Sequence, residues 1–324
     1  MQNYISNLEK GELHVHLNGL VSTSTIQKII IEESIEVPQD FNIHRDLIRE
    51  FPMESLEQYL KPWDVLRLIP NSKESLKLMV QNAFENLKQQ NVSFVEIRNS
   101  VVYLSFLNNI STELALRWLL EEIEQASEKY NIKAGLLMTI SRGDYSAENF
   151  HTLIKAYEKL DKPNGVLGLD LAGNEDIVIS KNISSLFRNA KEKYGFNITV
   201  HAGETGNVAN IIEAIDSFTA DRIGHGTAAE KDQELMAYIK ERDVCIEVCP
   251  ISNRLTGAVR EEDDHPVVKF LENDVPFVLC SDNPALHNKT INDDYMSFHD
   301  ETMRKDILEK MLATQKKYSF IKGL

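Results

Sequence analysis

The sequence predicts a closed (β/α)8 barrel, and three observations support this fold class. Eight short apolar segments alternate along the chain with longer amphipathic segments. The short segments are nearly continuous in apolar character, which is typical of strands buried on both faces of a parallel sheet. Several of them end in polar or ionisable residues, at the end of the strand where such barrels carry their active sites.

The predicted strands are short enough to cross a barrel wall once. In order they are ELHVHL (12–17), SFVEIR (93–98), AGLLMTI (134–140), VLGLDL (166–171), NITVHA (197–202), DRIGHG (221–226), VCIEVC (244–249) and PFVLCS (276–281). Eight is the number of parallel strands that closes this barrel. An open doubly wound sheet is the alternative, but it normally has a glycine-rich phosphate loop after its first strand, and HLNGL is not such a loop.

The predicted helices fill the intervals between the strands. They cover 72–90, 111–129, 147–160, 178–194, 207–216, 231–242 and 263–273. The helix near 111 begins with Ser-Thr-Glu, which is good capping chemistry, and continues with apolar residues at helical spacing. The interval 20–92 is long for one βα unit, so we expect extra helices there. No linker divides the chain, and we therefore predict a single domain over residues 1–324.

Composition restricts the kind of partner that the chain binds. The 324 residues include 35 basic and 50 acidic side chains, a formal charge of −15, which disfavours a polynucleotide. No apolar run reaches the ~18–20 residues of a membrane span, and the N-terminus lacks the pattern of a secretory signal. With only three cysteines, we expect a cytoplasmic protein with a small-molecule substrate. The oligomeric state stays open.

Two histidines at the end of the first strand, His14 and His16, raise the question of a metal site. Residues two apart on a strand face the same side, so both imidazoles point to one place. A hydrogen-bonded core pair is the simpler interpretation. The metal interpretation gains support because further candidate ligands, His201 and Asp282, also lie at or just after the ends of predicted strands. Three imidazoles and a carboxylate, with one position open for water, are the layout of a catalytic zinc.

Taken together, the motifs resemble the adenosine deaminase family of metal-dependent hydrolases. They occur in order along nearly the whole chain: ELHVHLNG, FVEIR, VLGLDLAGNE, TVHAGE, DRIGHGT, EVCPISN, SDNP and a terminal YSFI. The resemblance implies a TIM barrel, one zinc ion per chain, and hydrolytic removal of the 6-amino group of a purine. Adenosine, converted to inosine and ammonia in purine salvage, is the expected substrate.

The resemblance also implies roles for individual residues. The zinc ligands would be His14, His16, His201 and Asp282, and His16 would also face the substrate. Asp282 and His225 would orient the attacking water and take its proton. Glu204 would protonate purine N1, which needs a carboxyl group kept neutral by burial. The backbone N–H of Gly173 would face N3, where a glycine admits close approach, and Asn283 would contact N7.

A lid over the substrate is a further expectation from the resemblance. The segment LEQYLKPWD has its large apolar residues at i, i+3, i+4 and i+7, on one helix face: Leu56, Tyr59, Leu60 and Trp63. Such a stripe more often means plain core packing. Pro62 within the stripe departs from the pattern of a regular helix.

Departures from the family pattern bear on the substrate. Asn18 and Asn283 stand where adenosine deaminases usually have aspartate, and both substitutions remove a negative charge near the ligand. We expect Asn18 on the metal side by strand alternation, facing the sugar. Adenine, N6-methyl-AMP and, as another class, the substrate of a different mononuclear zinc amidohydrolase are the alternatives to adenosine. The fourth strand has no lysine that could bridge two metals, which favours one metal.

Overall fold

The computed structural model describes residues 1–324, and its eight strands form one sheet in the order in which they occur along the chain. Each strand pairs in parallel with the next. The strands are β1 Lys10–His16, β2 Val92–Asn99, β3 Lys133–Ser141, β4 Val166–Ala172, β5 Asn197–Ala202, β6 Arg222–His225, β7 Cys245–Val248 and β8 Phe277–Leu279. All eight predicted strands are therefore confirmed, within a few residues at their ends.

The ring closes between β1 and the residue that lies three positions after β8. Asp282 donates its backbone N–H to the carbonyl of His14 at 2.8 Å, and its own carbonyl accepts from His16 at 3.1 Å. Val15 and Asp282 form a parallel bridge. This closure confirms the predicted barrel, and it brings the side chain of Asp282 to the level of the two histidines on β1.

Helices surround the barrel, and the long interval after β1 contains several of them, as predicted. The helices are α1 Gln2–Asn7, α2 Leu17–Leu20, α3 Thr23–Glu32, α4 Leu56–Tyr59, α5 Trp63–Leu66, α6 Lys73–Gln89, α7 Val101–Leu107, α8 Thr112–Tyr130, α9 Ser146–Lys159, α10 Ile183–Tyr194, α11 Val208–Asp216, α12 Gln233–Glu241, α13 Pro250–Leu255, α14 Val267–Glu272, α15 Ile291–Thr302 and α16 Lys305–Tyr318. A 3-10 helix covers Thr227–Lys231. None of these helices is long and apolar enough to cross a membrane.

Local sequence explains where several helices begin and end. The hydroxyl of Ser111 accepts the N–H of Leu114 and caps α8, which ends at Asn131 in the left-handed region. The helix predicted from 263 begins only at Val267, because the residue before Pro266 is disfavoured in helical conformation. Helix α10 begins at Ile183, five residues later than predicted.

Buried charges occupy the barrel interior next to the site. The guanidinium of Arg222 lies 2.6 Å from Glu96 and 2.7 Å from Glu247, and Arg98 lies 2.6 Å from the other oxygen of Glu247. All four side chains are essentially inaccessible to solvent. A buried charge is tolerated only when it is paired, and here each one has a partner. The network also reaches His14, as described below.

Candidate active site

A cavity of about 340 Å³ opens at the C-terminal ends of the strands. Every predicted site residue except His14 lines it: His16, Asn18, Leu56, Tyr59, Leu60, Trp63, Gly173, His201, Glu204, His225, Asp282 and Asn283. His14 is fully buried, and its ring centroid lies 4.6 Å from that of His201. The structure therefore brings together all residues that the sequence pattern singled out.

Four of these residues, His14, His16, His201 and Asp282, bring metal-binding atoms close together. Nε2 of His16 lies 3.3 Å from Nε2 of His201. Oδ1 of Asp282 lies 3.6 Å from Nε2 of His14 and 3.5 Å from Nε2 of His16. Nε2 of His14 is buried without any hydrogen-bond partner, which is costly for a polar atom unless something else binds it. The donor set of three imidazoles and one carboxylate fits a divalent transition metal.

Two buried carboxylates fix the orientation of the histidines. Nδ1 of His14 lies 2.6 Å from Glu247, and Nδ1 of His201 lies 3.0 Å from Asp170. Burial alone would raise the pKa of Glu247, but Arg98 and Arg222 lower it well below its usual value. An ionised carboxylate only accepts hydrogen bonds, so each Nδ1 carries a proton and each Nε2 keeps its lone pair for a metal.

The sequence analysis assigned no role to Asp170 or Glu247, although they lie in the motifs VLGLDLAGNE and EVCPISN. Each is an acidic residue in the middle of an otherwise apolar strand, GLDL on β4 and IEV on β7. A carboxylate at such a position is rarely buried without a partner, and this was the available signal.

Asp282 has a second partner and an unusual backbone conformation. Its Oδ2 accepts a hydrogen bond from the hydroxyl of Ser252 at 2.7 Å. The φ angles of Asp282 and His225 are +60° and +65°, in a region that residues other than glycine seldom adopt. The contacts around both residues hold them there, at the ends of β8 and β6.

Glu204 lies in the same cavity and is held by a second glutamate. The two oxygens of Glu175 accept the backbone N–H groups of Gly203 and Glu204, both at 2.7 Å. Oε2 of Glu204 lies 3.7 Å from Nε2 of His225, and its Oε1 has no partner. Burial, together with the charges of Asp282 and Glu175, raises the pKa of Glu204 well above its usual value. This shift favours the neutral carboxyl group, the form that can donate a proton.

The predicted lid lines the cavity, and its apolar stripe is broken at Pro62, the residue whose departure from a regular helix the sequence already indicated. The segment forms two short helices, α4 and α5, and Pro62 stands at the N-terminus of the second one. Proline lacks the N–H that would continue the helical hydrogen bonds. Two contacts anchor the lid: the hydroxyl of Tyr59 lies 2.6 Å from Nε2 of His287, and Asn18 donates to the carbonyl of Leu66 at 2.9 Å.

The surroundings of Asn18 and Gly173 differ from expectation in detail. Strand alternation ends at His16, because Leu17–Leu20 form a helix, so Asn18 reaches the cavity from that helix. Gly173 has a φ of +98°, and an added Cβ would meet nothing closer than 3.5 Å. Its backbone conformation, and not crowding, is thus what requires glycine. The amide of Asn283 donates to the hydroxyl of Tyr59 at 3.3 Å.

Comparison with known proteins agrees with this geometry. The family model described as adenosine deaminase matches residues 9–321. The chain belongs to the adenosine deaminase family. An adenosine deaminase of Clostridium botulinum is 32% identical over 288 residues, which are 88% of this chain and 85% of the relative.

Solved structures of relatives share the fold. An N6-mAMP deaminase of arabidopsis superposes with a TM-score of 0.86 at 23% identity, covering 99% of this chain and 96% of its own. An amidohydrolase of Burkholderia ambifaria with bound Zn has a TM-score of 0.85 at 20% identity, covering 99% and 88%. The barrel of this chain is therefore the barrel of these hydrolases.

Proposed function

We propose that this chain hydrolyses adenosine to inosine and ammonia with one zinc ion as its cofactor. The observation that carries the proposal is the buried carboxyl group of Glu204, whose pKa is raised, in the same cavity as the side chains of the proposed metal ligands His16, His201 and Asp282. A proton donor is needed where a ring nitrogen must be protonated during attack on the adjacent carbon. The adenosine deaminase relative at 32% identity supports the choice of substrate.

In this proposal His14, His16, His201 and Asp282 hold the zinc ion. Zinc accepts mixed nitrogen and oxygen ligands, and in catalytic sites it leaves one position for water. When bound, zinc supplies Lewis-acid activation of a water molecule near neutral pH. A single ion is favoured because β4, with the sequence VLGLDLA, offers no lysine to bridge a second one.

The chain's own residues bind the base and move the protons. Glu204 gives its proton to purine N1 as the oxygen of water bonds to C6 and Asp282 takes a proton from that water. This proton then passes to the 6-amino group, which leaves as ammonia when its bond to C6 breaks. Asp282 and His225 flank the water on the other side of C6. The N–H of Gly173 faces N3, and the amide of Asn283 donates to N7. The lid residues Leu56, Tyr59, Leu60 and Trp63 cover the ligand and exclude bulk water.

A 5′-phosphorylated 6-aminopurine, such as N6-methyl-AMP, is the second candidate. Two features of the cavity favour it. Asn18 lines the cavity without a charge, where an aspartate would repel a phosphate, and the cationic side chain of Arg67 also lines it. The neighbour with a TM-score of 0.86 is named an N6-mAMP deaminase.

The wider setting is part of the proposal. Residues 1–324 act as one domain, since a single sheet contains all eight strands. The formal charge of −15 disfavours polynucleotides, so the partners are small purines, and the cytoplasm is the expected location.

A substrate panel tests the proposal. The zinc-loaded protein is mixed with adenosine, adenine, AMP and N6-methyl-AMP, and the change in purine absorbance and the released amine are followed. We expect adenosine to give the highest kcat/KM, with measurable turnover of the 5′-modified compounds. Turnover of none of the four would contradict deamination, and preference for a nucleotide would establish the second candidate.

A further inference from the structure

One more imidazole lies close enough to join the metal ligands, and its exclusion needs an explanation. The ring centroid of His225 lies 4.8 Å from that of His14 and 5.3 Å from that of His201. These three histidines offer ligand atoms within 4.8 Å of one another. Distance alone therefore does not separate His225 from the four proposed ligands.

The hydrogen bond at Nδ1 distinguishes His225 from its neighbours. At His14 and His201 the Nδ1 partner is a carboxylate, Glu247 or Asp170, which only accepts. Nε2 of each ring is thereby left with a free lone pair. At His225 the Nδ1 partner is the side-chain amide of Asn253, at 3.0 Å. The direction of this bond decides which nitrogen of His225 carries the proton.

A chain of three hydrogen bonds sets that direction, and it begins at a backbone N–H that can only donate. The N–H of Val267 donates to Nδ1 of His265 at 3.2 Å, so the ring proton of His265 is on Nε2. That Nε2 lies 3.3 Å from Oδ1 of Asn253, to which it donates. With its oxygen used, Asn253 turns its NH₂ group to Nδ1 of His225, which must accept. The proton of His225 then lies on Nε2.

The residues that form these three hydrogen bonds are buried, so water does not offer them alternative partners. His225, Asn253, His265 and Val267 are each at most 2% exposed. Burial also lowers the pKa of His265 to about 3, which keeps this ring neutral. Because the ring of His265 is neutral and its Nδ1 accepts a hydrogen bond, its single ring proton must lie on Nε2.

We propose that Asn253 and His265 are positioning residues that keep a proton on Nε2 of His225 and so hold this imidazole outside the metal's ligand set. His225 then acts as a hydrogen-bond donor in the cavity, where its Nε2 lies 3.7 Å from Oε2 of Glu204. On this proposal His225 orients the water but does not share in accepting its proton, which was the expectation from the family resemblance. Asp282 remains as the acceptor. The expected effect on catalysis rests on the proposed metal-dependent deamination. The expected number of metal ligands does not depend on that function.

Replacing Asn253 by aspartate reverses the direction of the hydrogen bond to Nδ1 of His225. In Asn253→Asp the side chain can only accept, so His225 must carry its proton on Nδ1 and present the lone pair of Nε2 to the metal. We expect crystals of the zinc-loaded variant to show Nε2 of His225 bonded to zinc, whereas the zinc-loaded parent shows it unbonded. Zinc affinity, measured by competition with a chelator, should rise by about 10-fold or more, and kcat for adenosine should fall by about 10- to 100-fold.

A neutral pair of variants separates this effect from the added charge. His265→Gln keeps an N–H near the position of Nε2, whereas His265→Leu removes the donor and lets the amide of Asn253 turn over. We expect zinc affinity to be unchanged in His265→Gln and to shift in His265→Leu in the same direction as in Asn253→Asp. If Asn253→Asp does not fold, the leucine variant decides.

Two results would overturn the inference. One is a parent protein in which Nε2 of His225 already binds zinc, and the other is a set of variants in which ligands and zinc affinity do not change. A parent protein that leaves His225 unbonded but does not turn over adenosine would instead refute the proposed substrate and leave the inference supported.

Discussion

The direction of individual hydrogen bonds assigns different tasks to similar side chains in this site. His14 and His201 have carboxylate partners and keep free lone pairs, whereas His225 has an amide partner. Two glutamates are also distinguished in this way: Glu175 accepts two backbone N–H groups, while one oxygen of Glu204 has no partner. The proposed chemistry follows from these partners and not from the residue types alone.

The role of Glu204 gives the first prediction. Glu204→Gln keeps the shape of the side chain but cannot cycle a proton, so kcat for adenosine should fall by a general-acid factor, ~10²–10⁴ or more. The zinc content should not change, because Glu204 is not among the proposed ligands. Steady-state kinetics and elemental analysis measure the two quantities, and wild-type turnover in the variant would refute the proposed mechanism.

The raised pKa of Glu204 gives a second prediction, on pH dependence. The carboxyl group donates only while it is protonated, so kcat/KM should decrease as pH rises through its pKa, which burial places well above the usual value. The residual activity of Glu204→Gln should lack this decrease. If kcat/KM decreases at the same high pH in both proteins, the decrease belongs to a group other than Glu204.

Part of this residue-scale account was predictable from the sequence. The candidate ligands and Glu204 could be found because they lie at or just after the ends of predicted strands, and parallel strands bring their ends together. Asp170, Glu247 and the pair Asn253 and His265 could not be assigned roles. Their partners lie on other strands and helices, so only the closed barrel shows which side chain each one contacts.

At the scale of elements, the lid formed by α4 and α5 is joined to the barrel at two separate places. The hydroxyl of Tyr59 contacts His287 at 2.6 Å and Asn283 at 3.3 Å, both in the segment after β8. Asn18 holds the carbonyl of Leu66 at the other end of the lid. The lid is thereby linked to both segments that follow the closing strands, β1 and β8.

Removing the Tyr59 hydroxyl tests this link. Tyr59→Phe keeps the apolar ring in the cavity but breaks both hydrogen bonds, so KM for adenosine should rise by about 2- to 12-fold per bond lost. Tyr295→Phe is the matched control, since Tyr295 is equally buried and its hydroxyl has no partner. Equal KM values in the two variants would show that the hydroxyl of Tyr59 does not hold the lid.

The lid also shows where pattern reading reaches its limit. The spacing of its apolar residues correctly predicted which side chains face one place, because all four line the cavity. The spacing alone did not predict the path of the backbone, but Pro62, which the sequence marks as a departure from a regular helix, does divide the segment into two helices. The four apolar side chains still face the cavity, because the second helix begins at Trp63, only a few residues after the first ends at Tyr59.

At the scale of the whole molecule, the C-terminal segment is tied to the buried charges inside the barrel. Ser319 donates to Glu96 at 2.7 Å, and Arg222 donates to the carbonyl of Tyr318 at 2.8 Å. The ring of Phe320 lies 3.6 Å from the guanidinium of Arg222. Through Glu247, which contacts both Arg222 and His14, these contacts lead to the metal-binding end.

Deleting residues 318–324 should therefore destabilise the protein. The free energy of unfolding should fall by about 1–3 kcal/mol for each buried polar group left without a partner. Deletion of residues 323–324 alone is the control, since it leaves the contacts of Tyr318, Ser319 and Phe320 in place. Urea denaturation measures both, and equal stability of the two truncated proteins would contradict the role assigned to this segment.

The number and order of strands could be predicted for the whole molecule, because buried parallel strands have a recognisable composition. The closure of the ring could not. It depends on two backbone hydrogen bonds between Asp282 and β1, more than 260 residues away in sequence, and no local pattern encodes such a contact. The same is true of the C-terminal segment, whose YSFI motif gave no indication of its partners.

Titration of metal-free protein with zinc is the measurement that tests the central claim most directly. Protein stripped with a chelator is mixed with increasing zinc, and adenosine deamination is followed at each step. We predict negligible activity without metal, a linear increase, and saturation at one zinc per chain. Activity that survives complete removal of metal, saturation only at two equivalents, or no adenosine turnover at any loading would contradict the account.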